Sequence, residues 1–162
     1  MNGSISFDLH NESATRDLAW ALAPHLRTGD IVALEGDLGA GKTAFARALI
    51  EALGSGEDVP SPTFTLLQTY ETPAGRVVHF DLYRIGHADE LVELGWDEAV
   101  ADAIVLIEWA RRAEGLLPAS RLEIAFEFGP TPVARRAVLR GYGTWAARLS
   151  ALAALQNGLQ GE

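Results

Sequence analysis

Residues Gly36-Asp37-Leu38-Gly39-Ala40-Gly41-Lys42-Thr43 fit the pattern G-x-x-x-x-G-K-[ST] in full. The chemistry such a run supports is the holding of a polyphosphate. Glycines let consecutive backbone N–H groups turn inward around phosphate oxygens, where side chains would obstruct them. Lys42 then neutralises the outer phosphates, the Thr43 hydroxyl suits Mg²⁺, and a helix opening at Thr43 points its positive end at the same anion. The expected ligand is ATP with Mg²⁺, held by Asp37, Leu38, Gly39, Ala40, Gly41, Lys42, Thr43 and Ala44. The chain carries twelve arginines and one lysine, Lys42. A compact ammonium fits within a tight backbone loop, whereas the planar guanidinium fork does not.

Phosphate chemistry at such a loop needs an acid beside the metal. Glu108 ends the apolar run Ile104 to Ile107, and Asp81 ends the run His79-Phe80-Asp81. Both sit where a carboxylate at the C-terminal edge of a sheet reaches a cation or its water. The residues leave open which is the metal-side acid. Thr63, between Pro62 and Phe64, suits a ligand-sensing hydroxyl on a stiff loop or a plain strand residue. Arg84 suits either transition-state charge or an ion pair with an acid such as Asp81. Trp109 is expected to pack rather than to act, since neighbouring strand residues face opposite ways. His79 reads as a structural hydrogen-bonder rather than a base. No His or carboxylate cluster has the spacing of a zinc site.

The elements that must position these groups are legible in the pattern. Ser4 to Leu9 alternates as a strand. Asn11 and Ser13 can cap a helix running to about Leu26, with His25 near its C-terminal end. Ile31 to Leu34 and Ala103 to Ile107 are continuous apolar runs, as buried parallel strands require. Thr43 to Leu53 is a helix with Gly54 beyond its end. Phe64 to Tyr70 and Arg76 to Asp81 pair around Thr72-Pro73-Ala74-Gly75, and Ala88 to Ala101 is helical with Gly95 inside or interrupting it. Arg121 to Phe128 and Val133 to Arg140 form a hairpin, followed by a helix from Thr144 to about Gln156 with Trp145, Leu149 and Leu152 as core. The expected architecture is α/β: a three-layer P-loop NTPase-like domain over residues 1–162. Its central sheet is mixed and mainly parallel, with a C-terminal β-hairpin plus helix.

Composition narrows the class. Apolar residues make up 48% and charged residues 22% of 162, an ordinary globular balance with room for one core. No apolar stretch approaches the roughly 20 residues of a membrane span, the N-terminus lacks a signal-peptide pattern, and no membrane role is expected. There is no cysteine, which removes disulfides and thiolate chemistry. A cytoplasmic location is the simplest expectation. The net charge of −9 disfavours autonomous nucleic-acid binding, although a partner could bring nucleic acid near. A GTPase would carry Asn-Lys-x-Asp, which a chain whose one lysine is Lys42 does not have. A small-molecule kinase would share the loop and the Asp81 to Arg84 segment but needs an arginine-bearing lid, for which Arg111 and Arg112 are the candidates. A nucleotide-gated binding module with negligible chemistry is the other alternative.

Taken together, the loop Gly36 to Thr43, Ser61-Pro62-Thr63-Phe64, His79-Phe80-Asp81-Leu82-Tyr83-Arg84 and Leu106-Ile107-Glu108-Trp109 resemble the TsaE (YjeE) family over about residues 5 to 112. That family provides the P-loop ATPase of bacterial tRNA threonylcarbamoyladenosine biosynthesis. The resemblance implies a weak or partner-activated, Mg-dependent ATPase that works with TsaB and TsaD, which modify adenosine 37 of tRNA. ATP hydrolysis would permit their repeated turnover, and tRNA would be met only through that complex. Carried over by position, Lys42 and the loop amides hold phosphates, and Thr43 and Glu108 bind Mg²⁺. Asp81 becomes an essential acid near the metal, and Ser61 to Phe64 a switch-like loop. Thr15, at the start of the first helix, is expected near the nucleotide base. One departure is Ala110-Arg111 after Glu108-Trp109, where the family often continues Pro-Glu.

Overall fold

A computed structural model describes residues 3–37, 39–54, 67–113 and 115–160. Its organising element is β2 (Ile31–Gly36), whose first four side chains are apolar and buried on both faces. Ile31 and Ala33 join one buried cluster and Val32 and Leu34 the other, the period of two that a strand imposes. A strand buried on both sides needs layers above and below it, and both are present.

Seven strands form one sheet in the order β1-β7-β6-β2-β5-β4-β3. They are β1 (Ser4–Leu9), β2, β3 (Leu67–Thr72), β4 (Gly75–Asp81), β5 (Ile104–Glu108), β6 (Arg121–Phe128) and β7 (Arg135–Tyr142). The four central strands, β6, β2, β5 and β4, run parallel. Antiparallel pairs extend both flanks, β3 on β4 at one side and β7 then β1 at the other. The expected mixed sheet is thus parallel at its centre, with the C-terminal hairpin built into it.

On one face lie α1 (Glu12–Leu22), α2 (Lys42–Ala52) and α5 (Thr144–Gln160). Leu18 and Leu22 of α1, Phe45 and Leu49 of α2, and Trp145, Leu149 and Leu152 of α5 close the larger cluster. On the other face, α3 (Asp89–Glu93) and α4 (Trp96–Asp102) place Leu91 and Trp96 against Phe80 and Ile107. The helix expected over Ala88 to Ala101 is therefore interrupted at Gly95. The first helix ends at Leu22 rather than near Leu26, and residues 23–25 form a single 3₁₀ turn around Pro24. Proline lacks the N–H that a continuing α-helix would use. Asn11 caps α1 as expected, its Oδ1 accepting from Ala14 N at 2.9 Å.

The C-terminal helix is tied to the sheet by Arg148. Its guanidinium donates to both oxygens of Asp30, at 2.6 and 2.9 Å, and to the His25 carbonyl at 2.6 Å. It also lies over the Trp145 ring, 3.7 Å from the centroid. Asp30 opens into β2, so this contact fixes α5 to the strand that carries the glycine-rich loop.

Candidate functional site

β2 delivers the chain to the loop, and backbone conformation decides what can stand there. Gly36 has φ +143, and a Cβ at that position would lie 2.6 Å from the Phe126 carbonyl oxygen on β6. Only glycine lets the loop leave the sheet so close to its neighbour. Gly41, at φ +113, is the residue from which α2 starts. Lys42 then opens the helix and folds its side chain back over the loop it follows. Its Nζ donates to the carbonyl of Gly36, and to that of Asp37 at 3.4 Å.

The Thr43 hydroxyl donates to Glu108 Oε1 at 2.6 Å. The other carboxylate oxygen, Oε2, is 2.7 Å from His79 Nε2. Glu108 and His79 are both buried. Asp81 stands directly across from Glu108 in the β4–β5 register, and its Oδ1 accepts from Tyr83 N at 3.1 Å. Both acids and the hydroxyl thus converge beside Lys42. This is a direct consequence of the parallel strands β2, β5 and β4 ending at one edge.

The electrostatics follow from this crowding. Burial raises the Asp81 carboxyl above its ordinary range, and the neighbouring Glu108 charge adds to the rise against the opposing Tyr83 N–H and Lys42. Burial lowers the Lys42 ammonium, although Glu108, Glu35, Asp81 and Asp37 pull the other way. Glu35 is raised by burial too, against the Arg111 N–H that it accepts at 2.7 Å. A divalent ion beside Asp81 and Glu108 would offset the charge that raises Asp81. Among the described residues no three His or carboxylate side chains cluster as a metal cage. One hydroxyl and one or two carboxylates are instead the kind of donors that suit Mg²⁺, an ion that keeps several ligands from phosphates and water.

Several expectations meet the geometry directly. Lys42, Thr43, Asp81 and Glu108 are brought together. Asp37, Gly39, Ala40 and Gly41 form the loop beside them, with Ala40 N donating to the Asp37 carbonyl at 3.0 Å. Thr15 and Ala44 line a common open cleft of about 610 Å³, together with Ser13, Arg16, Thr43 and Arg47. That volume is within the usual range for a small-molecule site. Leu38 and the segment Ser61 to Phe64, Thr63 included, lie outside the described residues. Arg84 is exposed and has no ion-pair partner among the described residues, so the pairing with Asp81 is not formed. Arg111 is engaged with Glu35, its Nε 3.6 Å from Oε2.

Two residues of the site escaped the sequence pattern. Trp109 was expected to point away from the chemistry, but it has φ +61, outside strand geometry. The alternation ends at Glu108, and the indole swings over Lys42, with Nζ 3.5 Å from the ring centroid. Left-handed backbone at a non-glycine costs about 1–2 kcal/mol. The cation–π contact offsets about the same amount where water is excluded. The ring also packs on Tyr83, at 5.0 Å between centroids. The second residue is Arg135, at the start of β7, whose Nη2 donates to the Gly39 carbonyl at 3.1 Å. No local pattern marks an arginine 96 residues away as a neighbour of the loop.

A parallel-centred, three-layer sheet with a lysine-bearing glycine loop between its central strand and a helix defines the P-loop NTPase-like class. Within that class, residues 9–137 match the family described as Threonylcarbamoyl adenosine biosynthesis protein TsaE. The chain belongs to the TsaE family. It is 45% identical over 120 residues to the tRNA threonylcarbamoyladenosine biosynthesis protein TsaE of Rickettsia felis, covering 74% of this chain and 70% of that one. It is 40% identical over 118 residues to the same-named protein of Bacillus subtilis, covering 72% and 73%. Its fold is similar to the crystal structure of Bacillus subtilis YdiB, with a TM-score of 0.77 and 27% identity over 97% of this chain and 98% of that one. Among the described residues no helix is long and apolar enough to cross a membrane.

Proposed function

We propose that this chain binds ATP with Mg²⁺ and hydrolyses it slowly by itself and faster in a complex with TsaB- and TsaD-like partners. In that way it would support threonylcarbamoyladenosine formation on tRNA, which it meets only through those partners. The observation that carries the reading is the 2.6 Å contact between Thr43 and Glu108 at the mouth of the Lys42 loop, with Asp81 in register beside it.

Lys42 supplies the positive charge on the outer phosphates once its ammonium leaves the carbonyls of Gly36 and Asp37. Thr43 and Glu108 are the side chains that would hold Mg²⁺, which when bound neutralises charge on the β- and γ-phosphates. Asp81, in register beside Glu108, would bind a water of the metal or take a proton from the attacking water, and burial, which raises its carboxyl, makes it more basic than an ordinary aspartate. Thr15 and Ala44 would face the nucleoside end of the cleft. Membership of the family supports the tRNA-modification role, and the acidic character of the chain supports an indirect route to tRNA.

The test is ATP hydrolysis by this protein alone and then with its cognate TsaB–TsaD pair, with Lys42→Ala as control. The expected result is stimulation by the pair that disappears in the variant, a loss of roughly 10²-fold or more. A parental rate in Lys42→Ala within the complex refutes the mechanism. Equal slow rates in both settings would favour a nucleotide-gated module, and phosphorylation of an added acceptor would favour a kinase.

A further inference from the structure

His79 lies on β4 opposite Leu106, while Glu108 is two residues further along β5 on the same face. The imidazole therefore reaches the carboxylate diagonally across neighbouring strands. Its Nε2 is 2.7 Å from Glu108 Oε2, and neither side chain has meaningful exposure, at 0% and 2%. The remaining ring nitrogen, Nδ1, is buried and has no hydrogen-bond partner among the described residues.

We propose that His79 is a positioning residue of the nucleotide site, donating an Nε2–H bond that locks the Glu108 carboxylate with its other oxygen turned to Thr43. This rests on the Mg·ATP reading above and adds to it a residue that touches neither metal nor nucleotide. Three observations support it. A carboxylate accepts but does not donate, so the short Nε2–Oε2 contact requires the proton on Nε2. Nδ1 is buried with no hydrogen-bond partner among the described residues, so the contact of Nε2 with Glu108 is the hydrogen bond that fixes the ring. With Oε2 occupied by His79, rotation of the carboxyl group would break two short hydrogen bonds at once, so Oε1 is held towards Thr43 Oγ1 at 2.6 Å. Partners behind a ligand that orient it in this way typically contribute 10–100-fold to metal affinity.

The experiment compares the full chain with His79→Leu and His79→Gln. ATP binding is titrated with Mg²⁺, then repeated in EDTA, and melting is followed for each protein. His79→Leu removes the donor, and the expected result is at least a tenfold weaker apparent Mg²⁺ affinity, with binding in EDTA unchanged. His79→Gln restores an amide N–H near the place of Nε2 and is expected to stay within threefold of the parent. A general structural role would move the EDTA measurement as well. Parent-like Mg²⁺ affinity in His79→Leu overturns the proposal, and so does an equal loss in His79→Gln with its melting intact. A parent chain with no Mg²⁺-dependent ATP binding overturns the nucleotide reading itself. Should His79→Leu fail to fold, ¹⁵N NMR of the parent imidazole decides: a proton on Nε2 is expected, and a ring protonated on Nδ1 alone refutes the role.

Discussion

Replacing Glu108 by Gln separates what this residue does for a cation from what it does for the fold. The carboxylate receives two short hydrogen bonds, from Thr43 Oγ1 at 2.6 Å and His79 Nε2 at 2.7 Å, in a buried setting. Glutamine is isosteric and can keep both. Its carbonyl faces His79, and its amide donates to a Thr43 hydroxyl that has only to rotate. What disappears is the charge. Two charge-assisted hydrogen bonds become neutral ones, a loss of roughly 1–3 kcal/mol. Against it stands the removed desolvation of a buried carboxylate beside Asp81, which is of similar size. The melting temperature of Glu108→Gln is therefore expected within a few degrees of the parent. For a dication the balance differs. A unit charge about 4 Å away at an effective dielectric near 20 is worth about 4 kcal/mol per cation charge, and with screening about a 10²-fold loss of Mg²⁺ affinity is expected. Magnesium titration of ATP binding, read beside a thermal melt, checks both halves. Parental Mg²⁺ affinity would remove Glu108 from the metal site. A large drop in melting temperature would show that its charge holds the fold.

Burial and Glu108 raise the Asp81 carboxyl, so the folded chain favours its protonated form, and the stability this lends is lost as pH rises through the raised value. Asp81→Asn does not titrate, so its stability advantage over the parent should grow as pH climbs from the normal aspartate range to neutrality. Paired denaturation curves at several pH values test this, and a constant difference would contradict it. Trp109 rests on Lys42, so drawing the ammonium towards phosphates should change indole fluorescence. That change should be absent in Trp109→Phe, and an identical response in both proteins would place its source at another tryptophan. Arg148→Met leaves Asp30 largely buried, at 8% side-chain exposure, without its ion-pair partner and with the Arg27 N–H at 2.8 Å still donating to it. A loss of about 3 kcal/mol and a drop of roughly 6–12 °C in melting temperature are expected. ATP affinity below that transition should be unchanged.

The glycine loop and both acids were legible because their signals are local. Continuous apolar runs mark strands buried on two faces, and the residue that ends such a run in a parallel sheet stands at the ligand-binding edge. The Asp81–Glu108 pairing needed one further fact, the β4–β5 register, which places the two opposite each other. Other features depended on geometry that residue types do not carry. Trp109 left the strand alternation through a single positive φ, so a rule of alternation pointed its ring the wrong way. Pro24 shortened the first helix by replacing its last turn with 3₁₀ geometry. The reach of Arg135 to Gly39 depends on where the C-terminal hairpin enters the sheet, and nothing near Arg135 in the sequence specifies that position. Hairpin and helix could each be recognised, but their place in the strand order could not.

The strand order also sets a timetable for synthesis. Strands β2, β4 and β5, with Lys42, Thr43, His79, Asp81 and Glu108, have all been translated by residue 108. Of the seven strands, β1 comes earliest in the chain and has a single strand neighbour, β7, with Ser4 opposite Arg140 and Leu9 opposite Arg135. On the ribosome β1 therefore waits for more than a hundred residues with its ladder unfilled, while the groups of the site can already assemble. The edge beyond β6 is closed last, when β7 is made and joins the much earlier β1. A nascent chain halted inside the hairpin would carry the whole acid–hydroxyl cluster on a sheet whose open edge is β6 or β2, with β1 still unpaired, a state suited to capture by a chaperone or by a second unfinished copy.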